Sequence, residues 1–232
     1  MQMLTRIYKE DKDVLKEYLM SRTQDLSTDV LVTVSNIIQD VKNNKDEACL
    51  KYTKQFDKVL LDSMEVKQEE LDMQISKCDK DFIRAMELAK QNIEDFHKLQ
   101  KQNGYLLQKE MGIYLGQRVL PLEAVGIYVP GGRAQYPSSV LMNAIPAKIA
   151  GVKNVVMVTP PDKEGTIHPN IAYAARLAGV DKIYKIGGAQ AIAALAYGTE
   201  TIDRVDKIVG PGNIFVAAAK KLVYGAVDID MI

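Results

Sequence analysis

The chain has 232 residues, 47% of them hydrophobic and 26% charged, with Lys+Arg and Asp+Glu equal at 30 each. That length buries a sizeable core. A zero charge balance gives no electrostatic reason to expect nucleic acid or an acidic membrane as partner. No stretch approaches the ~20 consecutive apolar residues of a membrane span. The charged opening MQMLTRIYKEDKD does not read as a signal peptide, so the expected setting is the cytoplasm. Cys49 and Cys78 stand in helix-like segments without metal-type spacing and read as reduced thiols.

The chain changes character near residue 105. Before it, Gly and Pro are scarce and apolar residues recur at helical spacing. Asp11 to Ser21 is a short amphipathic segment with Val14, Leu15, Tyr18 and Leu19 on one side. Ser27 or Thr28 is placed to cap a helix through about Val41, followed by a second helix over Asp46–Phe56. A longer helix is expected from about Asp79 to Lys101, with Phe82, Met86, Ala89, Ile93 and Phe96 on its apolar stripe. All these stripes read as core packing.

After Gly112 the pattern turns to strands. Ile113–Leu115 and Arg118–Leu120 are expected to pair. Then Val125–Val129, Val155–Val158, Lys182–Ile186, Lys207–Val209 and Val227–Met231 are strand-like, with helix-like stretches Ser138–Ile149, Pro169–Ala178, Ala189–Tyr197 and Ile214–Tyr224 between them. Apolar strands without alternation, separated by helices, predict a parallel sheet covered on both faces. Pro146 implies a kink or two short helices in the first crossover.

Three glycine-bearing loops follow strands: IYVPGG (Ile127–Gly132), IGGAQA (Ile186–Ala191) and VGPGN (Val209–Asn213). In an open parallel sheet ligands bind beyond the carboxyl ends of the strands, where glycine admits close approach and helix N-termini favour anions. Three such loops on one rim suit a nucleotide. Ordinary turn chemistry explains each loop alone, and Asn213 can equally be only a helix cap. Neither the G-x-G-x-x-G fingerprint nor the G-x-x-x-x-G-K-[ST] phosphate loop is present.

The motifs YVPGG, GGAQA and GPGN, in that order, sit in a run from Pro121 to Ile232 that resembles histidinol dehydrogenase. NKDEACLKYTKQFDKV (Asn44–Val59) is similar to that family's early helix. The resemblance implies an α/β fold: a Rossmann-like parallel-sheet domain preceded by a helix-rich partial α/β domain. It divides the chain into an N-terminal helical extension (1–22), the first part of domain 1 (23–124) and an inserted NAD-binding domain (125–232). It implies oxidation of L-histidinol through histidinal to L-histidine with NAD and a bound zinc, in a homodimer. Matched residue by residue, Tyr128, Gln190 and Asn213 are the cofactor-binding positions. The plain alternative for Tyr128 is a partly buried tyrosine at a strand end.

In the family, the zinc ligands, the general acid–base pair and most substrate contacts fall beyond the position of Ile232, so no catalytic or metal-binding residue is expected here. His97 and His168, the two histidines, lack a neighbouring His or Cys at ligand spacing and read as surface or core-edge residues. These 232 residues are therefore expected to be inactive alone. The other readings are a non-catalytic nucleotide-binding module and a degenerate remnant.

Overall fold

A computed structural model describes residues 12–21, 27–131 and 135–231. Residues 1–11 and 22 of the expected N-terminal extension, Gly132 of the YVPGG loop and Ile232 lie outside the described residues. Helix α1 spans Lys12–Ser21. Its stripe of Val14, Leu15, Tyr18 and Leu19 is exposed, which corrects the core assignment.

Helix α2 (Thr28–Phe56) starts where the Ser27 hydroxyl accepts a hydrogen bond from the Val30 N–H at 3.3 Å. Non-helical backbone at Lys45 divides it, so the two helices read from the sequence are joined end to end. Its buried stripe runs through Val34, Ile37, Ile38 and Val41, then Ala48 and Cys49. Helix α3 (Gln68–Ile75) escaped the sequence reading; eight residues carry too little periodicity to register. Helix α4 (Lys80–Lys98) is capped by Asp79, whose carboxylate accepts from the N–H groups of Asp81 and Phe82. Met86 is buried on it, whereas Phe96, assigned to the core from sequence, is exposed beyond the reach of the packed face.

Strands β1 (Tyr105–Glu110) and β2 (Ile113–Gln117) form an antiparallel hairpin closed at Met111–Gly112. This corrects the expected pairing of 113–115 with 118–120. Every residue of both strands is exposed, so no buried face imposed the alternation that would have marked the first strand.

The main sheet is wholly parallel. Its strands are β3 (Ala124–Tyr128), β4 (Asn154–Thr159), β5 (Lys182–Lys185), β6 (Lys207–Val209) and β7 (Asp228–Ile229), in the order β5-β4-β3-β6-β7. Their crossover helices are α5 (Pro137–Ala150), α6 (Pro169–Ala178), α7 (Gly188–Tyr197) and α8 (Ile214–Val223). From β3 the chain steps outward through β4 to β5, then returns past β3 to β6 and continues to β7. A right-handed crossover stepping in the opposite direction lays its helix on the opposite face. Accordingly α5 and α6 pack on one face beside α4, and α7 and α8 on the other beneath α2.

Helix α5 runs unbroken through Pro146, correcting the expected kink or division. Proline removes the donor for the Met142 carbonyl, but Met142 is exposed and water can replace it. The sheet's outer edge is extended by 64–66, where the Val66 N–H donates to the Ile183 carbonyl and the Lys185 N–H to the Met64 carbonyl. Both cysteines are free; Cys49 is fully buried, and burial pushes its thiol up to about 12. No helix among the described residues is long and apolar enough to cross a membrane.

Candidate functional site

The strand order reverses between β3 and β6, and in doubly wound sheets the crevice beyond such a switch point is where ligands bind. A cleft of about 1010 Å³ opens there. Its walls come from the ends of β3 and β4, the starts of α6, α7 and α8, and from α2, which reaches over the rim. Tyr128, Gln190 and Asn213 all line this single cleft, so the three positions singled out from sequence converge.

Tyr128 ends β3 almost fully buried, and its hydroxyl oxygen accepts a hydrogen bond from the Gly188 N–H at 3.2 Å. Burial pushes the phenol up to about 12, the Gly188 bond pulls the other way, and the charge of Asp57 adds to the rise. The hydroxyl therefore keeps its proton at neutral pH, as a donor. The strand-end tyrosine and the cleft residue are the same side chain.

Gln190 occupies the first turn of α7 and is 1% exposed, yet its Oε1 has no hydrogen-bond partner among the described residues. A buried amide oxygen left unpaired costs about 1–3 kcal/mol, so this atom marks where a donor is wanted. The turn that places it requires glycine: Gly188 has φ +63°, and a Cβ there would stand 2.6 Å from Gln190 Oε1.

Asn213 does cap α8, its Oδ1 accepting from the N–H groups of Phe215 and Val216 at 3.0 and 3.1 Å. Only its amide NH2 is left to offer the cleft. His168 caps α6 in the same way, Nδ1 accepting from the Asn170 N–H at 3.1 Å. That bond fixes the proton of a neutral ring on Nε2. Helix α7 differs from these two neighbours: its N-cap residue, Gly187, has no side chain to cap it, and the Tyr128 hydroxyl meets only the Gly188 N–H. Its first-turn N–H groups at Ala189 and Gln190 have no intrahelical partner, and the helix dipole makes this end attractive to an anion.

The loop carrying Asn213 is held from below. Lys220 is 3% exposed, and its ammonium donates to the Gly210 carbonyl at 3.1 Å and to the Asp230 carboxylate. Asp230 in turn accepts from the Gly210 N–H at 2.8 Å. Gly210 has φ +109°, and a Cβ there would lie 2.2 Å from the Tyr128 carbonyl oxygen. Glycine thus lets the loop after β6 lie flat against the end of β3.

Several cleft residues escaped the sequence reading. His168 lies in the cleft wall, not merely at a surface or core edge; His97 lies in the last turn of α4, beside Gln100. Asp57, the residue after α2, has a buried Oδ2 without a partner among the described residues, and burial raises its carboxyl to about 6. Phe56, Lys163 and Phe215 also line the cleft. No local signal distinguishes Asp57 from the many acidic residues on helix faces; only the fold brings the end of α2 over the sheet. No group of three or more His, Cys, Asp or Glu able to hold a metal occurs among the described residues.

Comparison with known proteins agrees with the architecture. The sequence model of a family described as histidinol dehydrogenase matches residues 20–232. The chain is 62% identical over 206 residues to the histidinol dehydrogenase of Clostridium acetobutylicum, an alignment covering 89% of this chain and 48% of that protein. It is 54% identical over 226 residues to that of Streptococcus mutans, covering 97% of this chain and 50% of the relative. The crystal structure of histidinol dehydrogenase from Elizabethkingia anophelis superposes with a TM-score of 0.85 at 44% identity, over 90% of this chain and 48% of that one. The chain spans about half the length of the curated relatives it matches.

Proposed function

The chain belongs to the histidinol dehydrogenase family, and from that membership we propose that its cleft binds the NAD used to oxidise L-histidinol through histidinal to L-histidine. The observation that carries the reading is the buried Oε1 of Gln190, without a partner among the described residues, on a side chain that lines the same cleft as Tyr128 and Asn213. A buried acceptor without a donor fits a ligand bearing hydroxyl or amide N–H groups, and NAD has both.

Each residue then has a physical task. Gln190 accepts from a hydroxyl or carboxamide of the dinucleotide. The Tyr128 hydroxyl, protonated at neutral pH, donates toward the ligand while its oxygen holds the start of α7 in place. The Ala189 and Gln190 N–H groups in the first turn of α7 receive the negative pyrophosphate. Asn213 offers its amide NH2, with its oxygen spent on the cap. Bound NAD supplies a hydride acceptor; the residues described here bind and orient it.

The described residues do not fit a zinc site, so no step is assigned to that ion here. The same reading takes 125–232 as the dinucleotide-binding domain and 23–124 as part of the domain it is inserted into. It includes assembly as a homodimer in the cytoplasm, and no turnover of histidinol by residues 1–232 alone.

Titrating the purified 232-residue polypeptide with NAD while following thermal unfolding tests the proposal. A ligand confined to the folded state stabilises it by roughly 2.7 kcal/mol at a hundredfold excess over Kd. A concentration-dependent rise in Tm is expected; an unchanged Tm at millimolar NAD would overturn the cleft assignment. Histidinol-dependent NADH absorbance from this polypeptide alone would overturn the proposed inactivity.

A further inference from the structure

In doubly wound dinucleotide folds, an acidic side chain beyond the second strand accepts from the 2′-hydroxyl of the adenosine ribose. Here the second strand of the sheet in chain order is β4, and the acidic residue beyond it is Asp162. That carboxylate is already committed. Its Oδ1 accepts from the N–H groups of Glu164 and Thr166, both at 2.9 Å, and its Oδ2 from the Thr166 hydroxyl at 2.8 Å. Asp162 builds its own turn and has little left for a ligand.

Asp57 stands on the same side of the cleft with its acceptor unspent. The chain just after it runs over this half of the sheet: Val59 and Leu61 lie against Gly165 of the β4–α6 connection, and 64–66 pairs with β5. Asp57 lines the cleft, Oδ2 buried and without a partner among the described residues. Phe56, the preceding residue, is half exposed and lines it too, giving a purine ring an apolar surface to lie on. A buried carboxylate oxygen without a donor is costly unless a ligand supplies one.

We propose that Asp57 accepts hydrogen bonds from the hydroxyls of the adenosine ribose and, by its charge, turns away a dinucleotide carrying a 2′-phosphate. This deepens the NAD reading and rests on it. Although burial raises its carboxyl to about 6, the group is ionised above that pH and repels phosphate. Among the described residues lining the cleft, Lys163, in the loop after β4, is the cation that would oppose this selectivity, since an ammonium beside the 2′-position would welcome phosphate.

Calorimetric titration of the 232-residue chain with NAD, NADP and NAD lacking the adenosine 2′-hydroxyl tests the assignment. Wild type is expected to favour NAD over NADP by roughly tenfold or more, since like charges in contact oppose binding. It should also bind the 2′-deoxy analogue several-fold more weakly than NAD. Asp57→Asn should shrink the NAD:NADP ratio about fivefold or more, chiefly by tightening NADP. NAD bound with an unchanged ratio in Asp57→Asn would overturn the role of Asp57 and leave the cleft reading intact. Wild type binding NADP as tightly as NAD would overturn it without any variant, with Lys163 then taking the phosphate. No binding of either dinucleotide would overturn this inference and the NAD reading together.

Discussion

The Tyr128 hydroxyl accepts a hydrogen bond from the Gly188 N–H across the cleft floor, joining the end of β3 to the start of α7. Two loops far apart in sequence thereby hold a fixed spacing without a ligand. Replacing the hydroxyl with hydrogen leaves the Gly188 N–H unpaired at the margin of the cleft. Tyr128→Phe is expected to lower stability by about 1 kcal/mol and weaken NAD binding several-fold. Chemical denaturation and calorimetry on the same preparation measure the two effects. Stability and affinity both equal to wild type would show that the bond positions nothing.

Gly188 is the point at which backbone geometry governs the site. Gly188→Ala forces a Cβ onto a φ of +63° and within 2.6 Å of Gln190 Oε1. The strain costs about 1–2 kcal/mol, and the amide, a movable side-chain end, shifts off its position. The expected signature is a moderate loss of Tm with a disproportionate loss of NAD affinity. Gln190→Ala serves as the reference for affinity lost through the amide alone.

Lys220 and Asp230 clamp Gly210 from both its carbonyl and its N–H. Lys220→Met keeps the buried stem but removes the ammonium, leaving the Asp230 carboxylate without its buried counter-charge. Because Asp230 is partly exposed, the expected loss falls below that of a fully buried pair, at about 2 kcal/mol. Faster amide hydrogen exchange confined to Gly210–Asn213 would locate the effect in the loop. A uniform increase across the sheet would argue for general destabilisation instead.

Asp57 makes stability depend on pH. Burial raises its carboxyl from 3.8 to about 6, so the folded chain holds the proton more tightly than the unfolded one. Its stabilising contribution is fully present below about 3.8 and is lost as pH rises through about 6. Asp57→Asn, uncharged throughout, should therefore be more stable than wild type at pH 7.5, with the gap closing toward pH 4. After discounting for the side chain's partial exposure, the difference is about 1 kcal/mol, or roughly 2–4 °C in Tm. A difference that grows on acidification would contradict the assigned cause.

The sequence by itself determined the parallel α/β unit. Its strands are buried on both faces, so they read as apolar runs such as Val125–Val129 and Val155–Val158, and helix α6 falls at Pro169–Ala178 as its periodicity predicted. Local chemistry also marked Ser27, with Thr28 as the alternative, and Asn213 as caps, because a cap involves only residues two or three positions away. The glycine-bearing loops were legible for the same reason.

Only the tertiary structure decided which residues share the cleft. Asp57 reaches it because α2 packs across α7 and α8, an arrangement set by contacts between residues more than a hundred positions apart. Asp162 is spent locally, on Glu164 and Thr166 of its own turn, whereas the long-range packing left Gln190 Oε1 buried without a partner among the described residues. That packing also left the α1 stripe and the β1–β2 hairpin exposed, where periodicity alone suggested burial or a different register. A side chain's spacing fixes which face of an element it occupies; whether that face meets core, cleft or solvent depends on neighbours its own segment does not specify.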